Sequence, residues 1–197
     1  ADYRAATPAT DMLYAAGRDD PAWMALFEEL AGRSGDDLAS ARERAQRHAE
    51  DIGTGFRIAG EGEERPWPLS PVPLLIARDE WDRIAAGVAQ RADLLEAVLA
   101  DCYGEQKLVS GGNIPAALLT GSPNFLRPMM GLAPPGGYHL NFVAVDLCRG
   151  PAGEWRVLAD QLRAPVGAGY ALENRLAMSR MLGGLQTRLN IERHAPF

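Results

Sequence analysis

Residues 142–167, FVAVDLCRGPAGEWRVLADQLRAPVG, constrain the fold more than any other part of the chain. They read as an apolar strand carrying Asp146, a Gly/Pro turn, and a second strand ending at Asp160; an irregular loop with Pro165 and Gly167 follows at once. Side chains alternate along a strand, so residues of equal parity share a face. A three-residue turn at Pro151, Ala152 and Gly153 places Gly where such loops favour a left-handed residue. That register sets Ala144 opposite Asp160 and Leu158 opposite Asp146. The two aspartates then become diagonal neighbours on one face, about 7–8 Å apart at the backbone. Carboxylates so placed, beside a backbone-rich loop, suit a hard divalent cation such as Mg2+, which takes oxygen ligands and shares them with phosphate. The other reading of the same residues is a solvated hairpin face.

Helical signals surround the hairpin. Pro21 opens a short amphipathic helix with Trp23, Leu26, Phe27 and Leu30 on one face. A second helix is expected over 36–51, stopping at Gly53, with Arg and Glu on a solvated face. Residues 56–58 read as a short strand, and 60–73 as a Pro/Gly-rich seam in which Trp67 clamps a loop onto the core. LLIA at 74–77 is a strand candidate. The longest helix covers 79–100, and its stripe of Trp81, Ile84, Val88, Leu94, Leu95, Val98 and Leu99 is expected in the core. After turn-rich residues from Tyr103, paired strands over 138–147 and 155–160 precede a helix over 170–181 and a short one over 184–192. Residues 1–20 are polar and expected to be loosely ordered. The sum is a mixed α/β (α+β) fold.

Charge and composition exclude several function classes. A net charge of −6 without a basic stripe argues against nucleic acid as the main partner. No apolar run is long enough to span a bilayer and there is no signal-peptide architecture, so the expectation is a soluble cytoplasmic protein without membrane contact. Cys102 and Cys148 lack metal-type spacing and read as reduced core residues. Lys107 is the only lysine, and neither a G-x-x-x-x-G-K-[ST] loop nor a strand-to-helix G-x-G-x-x-G is present. A phosphate site built from these residues alone is therefore unusual or incomplete.

The runs RPWPLSPVPLLI, LADCYGEQKLVSGGNIP, GSPNFLRPMMG, VLADQLRAPVGAGYALENRLAMSR and ERHAPF, in that order, resemble the circularly permuted ATP-grasp proteins. They are more distantly similar to glutathionylspermidine-synthetase-type ligases, which place a similar motif ahead of the nucleotide lid. The resemblance implies a partial, circularly permuted ATP-grasp-like fold: a helical segment over 1–60, then over 61–197 the metal-binding strands without the lid. It further implies that the chain is the N-terminal portion of an ATP-dependent carboxylate–amine ligase with a peptide-like product. Mg2+ and ATP would be cofactors of the full-length protein, and a carboxylate and an amine its substrates. In such enzymes ATP phosphorylates the acid, and the amine attacks the acyl phosphate. The alternative is a non-catalytic interaction module that keeps the fold.

The family's metal motif, a strand Asp followed by E-x-N-x-x-P-G, falls on Asp146 and then on Asp160 with Pro165 at its proline. Asp160 stands where Glu is commoner, and Leu162 where an Asn ligand is expected. Gly167, Gly169, Glu173 and Asn174 are the candidate cofactor-binding positions; Glu173 and Asn174 read equally as a hydrogen-bonded first helical turn. Arg127 and Arg163 are the candidate catalytic residues. Arg127 suits bidentate contact with carboxylate or phosphate, whereas its other reading is a loop tie to backbone carbonyls. Arg163 has a second reading as a partner of Asp160. His139 falls on the face opposite the two aspartates and stays outside the catalytic set. Leu176, Met178, Met181 and Leu185 are expected to form an uncovered apolar patch through which the C-terminal helices self-associate as a homo-oligomer.

Overall fold

The computed structural model describes residues 20–58, 60–70, 72–150, 153–163, 165, 167–182 and 184–192. The expectations for residues 1–19, for Pro151 and Ala152, and for 193–197 of the ERHAPF run lie outside them. In chain order the elements are α1 (Pro21–Ala31), α2 (Gly35–Asp51), β1 (Gly55–Phe56), β2 (Arg65–Pro66), α3 (Arg78–Tyr103), α4 (Lys107–Ser110), α5 (Ala116–Thr120), β3 (Ala144–Arg149), β4 (Trp155–Gln161), α6 (Ala168–Leu182) and α7 (Leu185–Arg188). Two two-stranded ribbons, β1–β2 (antiparallel) and β3–β4, are the sheets among the described residues. No described helix is long and apolar enough to cross a membrane. The chain divides into two compact units. The first takes Ala1–Ile76, Arg149–Glu154 and Val166–Phe197; the second takes Ala77–Cys148 and Trp155–Pro165.

The first unit is a helical cluster built on apolar burial. Asp20 caps α1 by accepting from the Ala22 amide at 2.8 Å, and Pro21 supplies the preset first-turn φ. Ser34 and Asp37 close a reciprocal capping box at the start of α2. At the other end of α2, Gly53 adopts φ +71, where a side chain would be strained. Ala41, Ala45 and Ala49 form the buried face of α2, a stripe of small side chains against which α6 packs. Trp23, Leu26, Leu69, Ala177, Met181, Leu182 and Leu185 complete the core. Burying a Leu-sized side chain fully stabilises by about 1.5–3 kcal/mol, so Leu26 and Leu185, each essentially inaccessible, are its strongest members. Arg33 donates to the Met181 carbonyl at 2.6 Å and ties the end of α1 to that of α6.

This core corrects the expected C-terminal patch. Met181 and Leu185 are buried and Met178 partly so, because α1 and α2, more than a hundred residues earlier, return to cover them. Leu176 does remain exposed, together with Leu172. Trp67 clamps its loop as expected: it stacks on Tyr170 at 4.2 Å, meets Phe56 edge-on, and donates from Nε1 to Asn174.

In the second unit the 26-residue α3 is a spine to which loops and strands are tied by polar groups. Asp79 and Glu80 favour its N-terminal dipole. Its stripe is only partly core: Ile84 is buried, whereas Trp81 and Leu94 are 48% and 63% exposed. A two-stranded ribbon and irregular loops are too thin to cover a helix of this length. Cys102 is buried at its C-terminal end, where burial pushes the thiol pKa up, and both cysteines are free as expected. LLIA forms no strand. It has no pairing edge, follows Pro73, and ends in the approach to α3. The first hairpin strand begins at Ala144 rather than 138, since Glu96 of α3 captures the adjacent amides of His139 and Leu140. Consecutive amides bound to one carboxylate are not available to a ladder. The last helix is likewise shorter than expected, Leu185–Arg188.

Candidate functional site

The hairpin turn closes as its spacing requires. Gly153 adopts φ +85 and donates to the Gly150 carbonyl at 2.9 Å, and the Gly150 amide donates to Glu154 at 2.7 Å. Within the second unit two side chains of β4 and the segment that leads into β3 reach α3. Trp155 Nε1 donates to Glu80 at 2.8 Å, and Arg91 grips both oxygens of Asp160 at 2.6 Å each. Glu96 receives the amides of His139 and Leu140. From Glu80 to Arg91 the helix rises about 16 Å, and from Trp155 to Asp160 the strand rises about the same, so β4 runs along α3. Strict alternation would turn Trp155 and Asp160 to opposite faces, yet both meet α3. β4 has seven residues to the six of β3.

Asp146 and Asp160 are not brought together by a contact. Asp146 is exposed and accepts from Gln161 Nε2 at 3.1 Å, while Asp160 serves Arg91. The hydrogen bonds from Arg91 hold the Asp160 carboxyl below the usual range and raise Arg91 in turn. Arg163 donates to Asn124 at 2.7 Å and not to Asp160. Arg127 lies in a 3-10 turn, Arg127–Met129, exposed and with no side-chain partner among the described residues. Among the described residues no three His, Cys, Asp or Glu side chains converge as a metal site would require.

The other candidates belong to the first unit. Gly167 has φ +138, and its carbonyl accepts from the Ala171 amide as α6 begins. Gly169 lies in the first turn of α6, and Glu173 is half-buried one turn on. Asn174 spends its oxygen on Trp67, so its structural role is to fix the indole.

Sequence reasoning missed Arg91 and Glu96, two polar residues on a helix otherwise read for its apolar stripe. It also set aside His139. In the structure His139 Nδ1 lies 2.8 Å from Glu96 Oε1, and its ring stacks on Tyr103 at 5.8 Å. Tyr103 stacks in turn on Phe125 at 5.0 Å and accepts at its hydroxyl from the Leu126 amide. Burial alone would raise Glu96, but the amides of His139 and Leu140 and the imidazole outweigh it and hold the carboxyl below its usual range.

Comparison with known proteins matches residues 73–197 to the family described as circularly permuted ATP-grasp type 2. An uncharacterized protein of Mycobacterium leprae is 38% identical over 160 residues, 81% of this chain and 28% of that protein. One from Mycobacterium tuberculosis is also 38% identical, over 81% of this chain and 29% of its own length. A third, from Synechocystis, is 35% identical over 85% of this chain and 35% of its own length. The chain thus spans about a third or less of the curated relatives it matches.

Proposed function

Because this chain belongs to the circularly permuted ATP-grasp type 2 family, we propose that it forms part of an ATP-dependent ligase joining a carboxylate to an amine. The family match carries the reading: it spans the hairpin with Asp146 and Asp160 and the loop-to-helix segment from Gly167 to Asn174. ATP and Mg2+ are on this reading the cofactors of the longer protein. The parts that this chain does not span would hold the nucleotide lid and its lysines.

The oxygen donors described here do not by themselves fit Mg2+. Such an ion takes six oxygens in near-octahedral array, whereas Asp160 is closed by Arg91 and Asp146 stands apart with Gln161. Asp146 is the more open of the two carboxylates, and Arg91 occupies the place that a cation at Asp160 would need. Arg127 supplies the better candidate for the substrate wall, since a guanidinium without a partner among the described residues suits a carboxylate or phosphate.

A non-catalytic module is the second reading, and the Arg91 clamp on Asp160 favours it, because a carboxylate neutralised from within has no need of a metal. ADP release by the full-length protein with Mg-ATP, against a panel of amino acids and peptides, separates the two. Release that requires both an acid and an amine supports the ligase; nucleotide-independent binding with no release over the whole panel supports the module.

A further inference from the structure

The Glu96–His139 pair has the construction of a proton acceptor rather than of a loop tie alone. Holding the loop needs only the amides of His139 and Leu140, both of which Glu96 receives at 2.8–3.0 Å. The imidazole adds a further contact, Nδ1 to Glu96 Oε1 at 2.8 Å. An ionised carboxylate there accepts a hydrogen bond from Nδ1–H, which fixes the tautomer and leaves Nε2 with its lone pair outward. Among the described residues Nε2 has no partner. The ring is oriented by its stacking on Tyr103, and both side chains keep 19% of their surface exposed. A carboxylate, an imidazole held by it, and an open Nε2 are the parts by which a His is aimed to accept a proton.

Tyr103 also places this pair beside the Arg127 turn. Its hydroxyl holds the Leu126 amide at 3.2 Å and its carbonyl holds the Gly131 amide at 2.8 Å, so the segment around Arg127 is pinned to the residue on which His139 stacks. A cationic group for an acid and a basic nitrogen with an anionic neighbour for an ammonium are thereby carried by one framework.

We propose that His139 Nε2 takes the proton from the ammonium form of the amine substrate, with Glu96 as its positioning residue. This rests on the ligase reading. The substrate R–NH3+ loses one proton to Nε2 and becomes the nucleophilic R–NH2; the ring becomes imidazolium, its Nδ1–H still hydrogen-bonded to Glu96. The amine nitrogen then forms the C–N bond with the activated carboxyl carbon, whose bond to the leaving phosphate oxygen breaks, and the phosphate carries off the second amine proton.

Hydroxylamine tests the step because it is uncharged at neutral pH and needs no deprotonation before attack. In the full-length protein, His139→Asn keeps a donor for Glu96 and removes Nε2. With Mg-ATP and a carboxylate that the wild type activates, the expected result is a fall of about 100-fold or more in kcat with an amino-acid amine, hydroxamate formation staying within about threefold of wild type. Added imidazole should restore part of the amine rate. Equal losses with both nucleophiles, or no loss with either, would overturn the role of His139. Absence of hydroxamate from the wild type with every carboxylate would instead overturn the ligase reading. Glu96→Gln is the second variant: a smaller selective loss with the amine is expected, and a loss shared by hydroxylamine would reduce Glu96 to a loop anchor.

Discussion

The two units hold themselves together by different physics. In the first, α1, α2, α6 and α7 bury Trp23, Leu26, Leu182 and Leu185 against a floor of alanines, and the polar ties at Arg33 and Trp67 decorate a core that already exists. In the second, Ile84 and Cys102 are the buried apolar residues among those described, while Leu126, Leu132, Tyr138 and Phe142 are each more than half exposed. There the organisation comes from Glu80, Arg91 and Glu96 on α3, each gripping a segment distant in sequence. Apolar burial tolerates solvent conditions and resists loss of volume; charge-assisted ties are directional, aim particular side chains, and depend on protonation. The candidate proton acceptor and Arg127, without a side-chain partner among the described residues, both lie in the unit organised by ties.

The contrast can be broken most sharply at Leu26 or Leu185. Truncation of either to Ala should cost about 2–5 kcal/mol, read by denaturant unfolding with far-UV circular dichroism. A loss below about 1 kcal/mol would mean that apolar burial does not dominate the first unit. Glu96→Ala should come next, at about 1–3 kcal/mol, since it leaves the His139 and Leu140 amides without their acceptor. Hydrogen exchange should quicken at those two amides and stay unchanged at Leu182; a rise at both would erase the distinction. Trp67→Phe keeps a ring for Tyr170 and loses only the bond to Asn174, so about 0.5–1.5 kcal/mol is expected in thermal unfolding.

Acid should have the smallest and most selective effect. Asp160 and Glu96 sit below their ordinary values in the folded chain. The stability each adds is therefore complete above the unfolded value near 4 and drains away as pH falls through the lower folded value. In the first unit the corresponding group is Asp37, whose bonds to Ser34 depress it and whose loss frays only the start of α2. Carbon-detected titration of the carboxylates should show the Asp160 and Glu96 midpoints below those of exposed acids. Ordinary midpoints for both would remove the ties from the account of the second unit.

Much of this was legible before any coordinates. Pro21, Gly53 and the apolar spacing of α1 and α3 mark helices through local physics, and Gly153 marks the turn. The alanines of α2 recur at every fourth position and carried a signal that attention to its charged face passed over. What could not be read was which distant group answers which. Asp160 answers to Arg91, which lies 69 positions away. Strand character over 138–143 yields to a carboxylate on another element. Family membership was recoverable from five ordered runs, since long motifs survive where single contacts leave no trace.

The distribution of the first core along the chain has a consequence for synthesis. The stripe on α1 and α2 is complete once residue 51 has left the ribosome, but its cover, α6 and α7, ends at Arg188. At roughly 5–20 residues per second that is an interval on the order of 10–30 s during which Trp23, Leu26 and the alanine floor face water or whatever else is near. The nascent chain is thus exposed to aggregation over residues 21–51, and a holdase that shelters them until α6 and α7 emerge would improve its yield more than one acting after this core has closed.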